Sequence, residues 1–208
     1  RFAMTLTDII KEVQSALKLE PDGNAGPLTW GAIHQRIVVG KPAATAAKAP
    51  VPEMGTVDPR SEATIATLQP EVRPYARALV QSAASVGITI KIISGLRTYA
   101  EQDALYAKGR TAGGSKVTNA RAGYSNHNFG VAFDIGVFEG SSYKDESPKY
   151  KVVGALGVKL GLEWGGNWKT IVDEPHFQVR PTWAADMSES AMLAELRTRN
   201  NAGRGFFV

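Results

Sequence analysis

The chain has 208 residues, no cysteine and a formal net charge of +4. The lack of cysteine excludes disulfides and thiolate ligands, so any bound metal must be held by histidine and carboxylate groups. No apolar run approaches the ~18–20 residues that a membrane-spanning helix requires. The positive charge favours an anionic partner such as a cell-wall polymer. Nucleic acid is disfavoured because no basic stripe with interleaved aromatic residues is present.

An Ala- and Pro-rich segment is expected to divide the chain into two modules. We place a small all-α module at residues 1–40, a linker at 41–58 and a larger domain at 59–208. The linker shows neither helical nor strand periodicity. Residues 1–19 lack the uninterrupted apolar region of a signal peptide, so we expect indirect export or a trimmed form of a secreted protein.

The small module is predicted to contain two helices. Apolar residues recur at three and four positions in the first helix, and turn-forming residues occupy 21–27. The second helix begins near Thr29 and carries Trp30 on its apolar face. The run that includes Gln14, Asp22-Gly23 and Thr29 resembles the peptidoglycan-binding module of cell-wall hydrolases. The alternative is a small helical appendage with Trp30 in its core.

The larger domain is predicted to mix helices and strands. Helices are expected over residues 71–86, 98–109, 150–160 and 187–199, and strands over 88–92, 131–137, 162–164 and 175–179. Because the two kinds of element do not alternate regularly, we expect a compact α+β fold with a small antiparallel sheet flanked by helices. A doubly wound sheet would require regular alternation.

Two segments carry the side chains of a possible metal site. Period-two alternation along the strand at 131–137 places Asp134 on the face opposite to four large apolar side chains. A buried carboxylate among small neighbours is costly unless it is paired or bound to a metal. His127 reaches the same place only if the chain turns at Gly130. Taken alone, His127 is better explained as a surface loop residue and Asp134 as a turn former.

The second segment supplies another histidine and two acids. Pro175 biases the chain toward extended geometry, which puts His176 on an exposed strand face. Two histidines and one carboxylate form a three-ligand zinc set that leaves the fourth position for water, as in hydrolytic sites. Such an enzyme also needs a general base, and from the residues alone both Asp173 and Glu174 qualify.

The larger domain contains the patterns Ser125-x-His127-x-x-Gly130-x-Ala132-x-Asp134 and Asp173-x-x-His176-Phe177. These patterns resemble those of the zinc D-alanyl-D-alanine carboxypeptidase and L-alanyl-D-glutamate peptidase family. Upstream, Ser94-Gly95-x-Arg97-Thr98 and residues 101–110 are similar to its endolysin branch. The resemblance spans residues 60–181. In that family two histidines and an aspartate bind zinc, beside an acidic base and an arginine.

The ligands that the resemblance implies for Zn²⁺ are His127, Asp134 and His176. It implies further that Asp173, and not Glu174, is the general base. Arg97 is expected to stabilise the oxyanion that develops on the scissile carbonyl. Ser125 and Gln102 are predicted to contact the substrate.

The resemblance predicts hydrolysis of the L-alanine–D-glutamate bond in the peptidoglycan stem peptide. A D-alanyl-D-alanine carboxypeptidase with the same zinc site is the alternative. A non-catalytic, zinc-containing wall-binding protein is a third interpretation, which the presence of both Asp173 and Arg97 disfavours. We expect a monomer that acts in the cell wall or periplasm, either a phage lysin released through a membrane pore or a trimmed secreted protein.

Overall fold

The computed structural model describes residues 5–16, 21–25 and 55–208. The chain separates into two compact units, residues 1–49 and 50–208. None of the helices in the described ranges combines the length and apolar character that a bilayer span would need.

The described part of the first unit contains a buried glutamine that bonds to the turn following its helix. Helix α1 (Leu6–Ala16) carries Gln14, whose amide nitrogen donates to Asp22 Oδ1 at 2.6 Å and to the Asn24 carbonyl at 3.0 Å. The Gly23 N–H donates back to Gln14 Oε1 at 2.9 Å. The helix therefore holds the turn at Asp22-Gly23. The predicted second helix with Trp30, and the linker over residues 41–54, lie outside the described residues.

The second unit has the predicted α+β architecture. Its helices are α2 (Pro59–Ile65), α3 (Arg73–Ser85), α4 (Tyr99–Ala107), α5 (Lys149–Lys159) and α6 (Glu189–Asn201). Its strands are β1 (Thr89–Ser94), β2 (Ala132–Glu139), β3 (Ser142–Lys144), β4 (Glu163–Trp164) and β5 (His176–Gln178). The sheet is antiparallel throughout, in the order β1-β2-β5-β4, and β3 forms a hairpin with β2.

Two elements were not predicted. Helix α2 has seven residues and begins directly after the Pro-rich segment, where Asp58 caps it by accepting from the Ser61 N–H. Strand β3 has three residues, two of them polar, so it shows no alternation that the sequence could reveal. Both are short elements that the rest of the domain stabilises by packing.

The main hydrophobic core lies between one face of the sheet and the helices α2, α3 and α5. Phe133, Ile135 and Phe177 contribute to it from β2 and β5 and are fully buried. A second, smaller core includes Phe129 and supports the segment just before β2. Because neighbouring residues of a strand point to opposite faces, burial of these side chains directs Asp134 and His176 to the other face.

Candidate metal centre

Three ligand atoms from two segments meet at one point of the sheet. His127 Nε2, Asp134 Oδ1 and His176 Nδ1 lie 3.2 Å from one another in each of the three pairs. Four-coordinate zinc with metal–ligand lengths of about 2.0–2.1 Å places its ligands about 3.3 Å apart. The triangle therefore has the size that a zinc ion requires, and the donor types match.

Sheet register brings two of the ligands together. Asp134 on β2 and His176 on β5 are directly opposite each other in the antiparallel ladder. Their side chains point to the same face because opposite residues of a ladder share a face. Ser94, at the end of β1, is opposite Asp134 on its other side.

The third ligand comes from a turn. His127 lies in a 3-10 turn, Asn126–Phe129, which ends at Gly130 with φ of +64°. This left-handed conformation suits glycine, and it reverses the chain into β2 as predicted. The His127 side chain is almost fully buried, and its Nδ1 lies 2.8 Å from the Gly95 carbonyl. Since a carbonyl can only accept, Nδ1 carries the proton and Nε2 is free to bind a metal.

The electrostatics favour an ionised Asp134. Burial of this carboxyl group is the largest effect and opposes ionisation. Hydrogen bonds and attraction from His127 and His176 nevertheless hold its pKa well below the usual value. Burial tends to lower the pKa of His176, yet the adjacent Asp134 carboxylate raises it overall. The centre thus concentrates negative charge where a cation would bind.

Asp173 and Glu174 occupy different environments. Asp173 lines the groove over the ligand triangle, and burial followed by the nearby Asp134 raises its pKa. Its backbone bonds both to Gly165 and to His176. Glu174 is not among the residues that line the groove within the described part of the chain. Its carbonyl instead accepts a hydrogen bond from the Trp164 indole at 2.7 Å.

Arg97 is fixed beside the ligand triangle by three contacts. Its guanidinium donates to Ser94 Oγ at 3.1 Å and to Gln102 Oε1 at 2.9 Å, and it lies 3.5 Å from Asp134 Oδ2. The helix that carries Gln102 starts with the predicted capping box between Thr98 and Glu101.

The expected contact between Gln102 and substrate is not what the structure shows. The Gln102 side chain is fully buried, and its amide nitrogen donates to the Ala120 carbonyl at 2.6 Å. With both ends of the amide engaged, Gln102 acts on the site through Arg97. Ser125, the other predicted contact, does line the groove.

The groove above the triangle has a volume of about 1320 Å³. Its walls include the exposed rings of Tyr124 and Trp168, and the Trp168 ring centroid lies 4.8 Å from that of His176. Trp164 is more deeply placed and packs against the main core. Lys116 and Lys169 add positive charge to the lining.

A polar network next to His176 was not predicted. Its members are Asn126, Glu163, Gln178, Arg180 and Glu189. Strand alternation does place Gln178 on the face of His176, but its partners are distant in sequence, so no local pattern indicates them.

Comparisons with known proteins agree with this geometry. Residues 118–179 match the family model described as D-alanyl-D-alanine carboxypeptidase. The chain is 38% identical over 124 residues to the peptidoglycan L-alanyl-D-glutamate endopeptidase CwlK of Bacillus subtilis (strain 168), covering 55% of this chain and 74% of that protein. It is 32% identical over 124 residues to the L-alanyl-D-glutamate peptidase of Listeria phage A118, covering 57% of this chain and 40% of that protein.

Among solved structures, the Serratia marcescens L-Ala D-Glu endopeptidase ChiX aligns with a TM-score of 0.47 and 23% identity, over 59% of this chain and 87% of that one. The family match includes all three ligands of the triangle and Asp173, and the Bacillus relative is matched over most of its length. The chain therefore belongs to the D-alanyl-D-alanine carboxypeptidase family of metallopeptidases, as its sequence motifs predicted.

Proposed function

We propose that the protein is a zinc-dependent peptidoglycan hydrolase that cleaves the L-alanine–D-glutamate bond of the stem peptide. The observation that carries this proposal is the triangle of His127, Asp134 and His176, which has the dimensions of a zinc site and lies at the base of an open groove. The bond assignment is supported by the two relatives, both of which are L-alanyl-D-glutamate peptidases.

A zinc ion held by these three residues would supply an acidified water and a Lewis acid at the scissile carbonyl. Asp173 lines the same groove, and among the described residues no cationic side chain forms a salt bridge with its carboxylate. In this proposal its carboxylate accepts the proton of the attacking water and then delivers it to the leaving amine. Asp173 is therefore assigned as the general base and acid.

Arg97 is assigned to the developing negative charge. Two of its contacts, with Ser94 and Gln102, hold the guanidinium in place before substrate arrives. A donor that is fixed in advance stabilises charge that appears only in the transition state, without a cost of reorganisation. Ser125 lines the groove beside His127 and is proposed to contact the peptide backbone of the substrate.

The groove is suited to a substrate that continues beyond the cleaved bond. Its volume of about 1320 Å³ exceeds the ~300–1,000 Å³ typical of small-molecule pockets. The second candidate function is a D-alanyl-D-alanine carboxypeptidase, which the description of the matching family favours. Lys116 and Lys169 would then bind the free terminal carboxylate.

Mass spectrometry of purified muropeptides tests both functions. The protein is incubated with them with and without a zinc chelator. Chelator-sensitive fragments with a new N-terminal D-glutamate are the expected result. Loss of terminal D-alanine alone would replace this function with the carboxypeptidase, and no cleavage by zinc-loaded protein would contradict both.

We propose that the first module binds peptidoglycan. We propose further that the whole protein is a monomer that acts at the cell wall. The bonds from Gln14 to the Asp22-Gly23 turn support the resemblance to wall-binding modules. Co-sedimentation with insoluble peptidoglycan tests this, in an Asp173→Ala background that prevents digestion. Gln14→Leu is expected to reduce the bound fraction, and equal binding would contradict the proposal.

A further inference from the structure

A partly buried polar network lies next to His176, and four of its members, Asn126, Glu163, Arg180 and Glu189, also line the groove. His176 Nε2 lies 3.0 Å from Gln178 Oε1, and the Gln178 side chain is 1% exposed. Gln178 Nε2 donates to Glu163 Oε2 at 2.7 Å and approaches both carboxylate oxygens of Glu189 at 3.3 and 3.4 Å. Arg180 donates hydrogen bonds to the carboxylates of Glu163 and Glu189, and its Nη2 lies 2.8 Å from Glu189 Oε2.

The donors and acceptors of this network permit one arrangement. Arg180 only donates, and the carboxylates of Glu163 and Glu189 only accept. The Gln178 amide must therefore direct its NH₂ group to the carboxylates and its oxygen to His176. Since an amide oxygen only accepts, His176 must carry a proton on Nε2. Its Nδ1 is then the free nitrogen, and this is the atom in the ligand triangle.

Asn126 fixes the same orientation from a second side. Its amide nitrogen donates to Gln178 Oε1 at 2.6 Å and also bonds to Glu189 Oε1. Asn126 directly precedes the ligand His127, so the network connects the segments that carry both histidines. A flipped Gln178 amide would place its NH₂ group against the Asn126 NH₂ group and its oxygen against the carboxylate oxygen of Glu163.

We propose that Gln178 is a positioning residue that holds His176 as the Nε2-protonated tautomer, and that the Arg180–Glu163–Glu189 cluster sets the orientation of Gln178. The proposal rests on the zinc-dependent function proposed above. It adds that a residue which does not itself bind the zinc ion contributes to zinc affinity. A hydrogen bond to the remote nitrogen of a metal-bound histidine fixes the ring and its basicity, and its loss typically weakens metal affinity ~10–100-fold.

The test compares Gln178→Leu with Gln81→Leu. Gln81 donates to the Gly55 carbonyl at the exposed end of the domain, so it controls for the same chemical change away from the groove. Zinc affinity is measured by competition with a chromophoric chelator. We expect Gln178→Leu to bind zinc about 10–100-fold more weakly and Gln81→Leu to bind as the wild type does.

NMR of the histidine rings gives a readout that does not depend on activity. The chain has three histidines, so ¹H–¹⁵N spectra of ring nitrogens are readily assigned. In the zinc-loaded wild type, slowly exchanging protons are expected on His127 Nδ1 and His176 Nε2. Gln178→Leu should lose the His176 signal and keep the His127 signal, because the Gly95 carbonyl still binds the latter.

A pair of substitutions tests the role of the carboxylates. Gln178→Glu alone puts a third carboxylate next to Glu163 and Glu189. Repulsion among the three carboxylates should displace the substituted side chain from His176, and zinc binding should weaken because the ring is then no longer held. Adding Glu163→Gln restores an amide–carboxylate pair with the opposite polarity. We expect the double variant to recover part of the affinity that Gln178→Glu loses, and no recovery would remove the carboxylates from the proposal.

The outcomes separate this inference from the proposed function. If wild-type protein binds no zinc, the metallopeptidase function itself is wrong. If the wild type binds zinc but Gln178→Leu binds equally well and keeps the His176 ring proton, only the positioning role is wrong. Circular dichroism verifies that each variant is folded, and Gln178→Met, which has a similar length but no amide oxygen, is the second variant should Gln178→Leu fail to fold.

Discussion

The Nδ1 atom of His127 lies 2.8 Å from the carbonyl oxygen of Gly95. A main-chain acceptor therefore sets the tautomer of His127. In His176 the nitrogen outside the ligand triangle is Nε2, and it faces a side chain, that of Gln178. The main-chain contact survives any substitution that leaves the end of β1 in place. The geometry of His176 depends on side-chain identity, so it is the ligand more open to tuning by substitution.

Replacement of Asp173 should separate catalysis from metal binding. Asp173→Ala is expected to keep zinc and to lose about 10²–10⁴ in kcat, the contribution of a general base. His176→Ala should lose both, since it removes one corner of the triangle. Zinc content by mass spectrometry and release of muropeptide fragments provide the two measurements.

Glu174→Ala is the matched control for Asp173→Ala. Glu174 is adjacent in sequence but does not line the groove within the described residues, so its loss should leave kcat within a few-fold. Full activity of Asp173→Ala, or equal loss in the two variants, would contradict the assignment of the base.

The charge and shape of Arg97 should both matter. Arg97→Lys keeps the charge but loses the fork that reaches Ser94 and Gln102 together, so we expect kcat to fall about 10²–10³-fold with zinc content unchanged. Gln102→Leu should produce a smaller fall, because it acts through the placement of Arg97. Arg60→Lys, outside the groove, is the control. An unchanged kcat for Arg97→Lys would contradict the oxyanion role.

Gly165 is predicted to be required by its close contact with the segment that bears the base. A Cβ atom added there would lie 2.5 Å from the Asp173 carbonyl oxygen and 3.0 Å from His176 Cβ. Since backbone must shift to relieve such contacts, Gly165→Ala should lower both activity and zinc affinity at least 10-fold, as expected of a ~1 Å displacement at a catalytic site. Gly113→Ala, where a Cβ meets nothing within 4 Å, serves as the control. Wild-type behaviour of Gly165→Ala would show that the segment can move freely.

The ion pair between Glu62 and Arg77 should make stability depend on pH. Hydrogen bonds from Arg77 at 2.7 and 2.9 Å lower the pKa of Glu62 from its usual value of 4.5. The stabilisation is complete above the unfolded-state pKa and is lost as the pH falls through the lower folded-state value. Glu62→Gln should lower the free energy of unfolding by about 1 kcal/mol at pH 7.

That difference should shrink as the pH falls below the usual carboxyl pKa of 4.5, which urea unfolding at pH 7 and at one acidic pH measures. The exposed Glu71→Gln is the control and should change little at either pH. A Glu62→Gln difference that persisted at low pH would assign the effect to packing instead of charge.

The sequence was sufficient to predict most of the elements and their order because their signals are local. The four predicted helices and four predicted strands of the larger domain agree with the structure within two residues at each end. Alternation along β2 and β5 also indicated the faces of Asp134 and His176, which the structure brings together. The catalytic roles of these residues remain predictions.

The features of the site that sequence patterns did not predict depend on contacts between segments that are distant in the chain. Gln178 meets Glu163 and Asn126 at separations of 15 and 52 residues, and no periodicity encodes such pairs. The burial of Gln102 was missed for the same reason, because its partner Ala120 lies on a separate loop. The sequence around a glutamine does not show whether its side chain faces solvent or bonds to an arginine.

The pairing of Asp134 with His176 across β2 and β5 links the metal centre to the stability of the sheet. The two strands occupy the middle of the ladder, with β1 and β4 outside them. Moving these ligands apart would require breaking the central hydrogen bonds and exposing Phe133 and Phe177, which is close to global unfolding. We therefore expect Asp134 and His176 to stay together in the absence of zinc, so that amide hydrogen exchange at these strands without metal requires global unfolding.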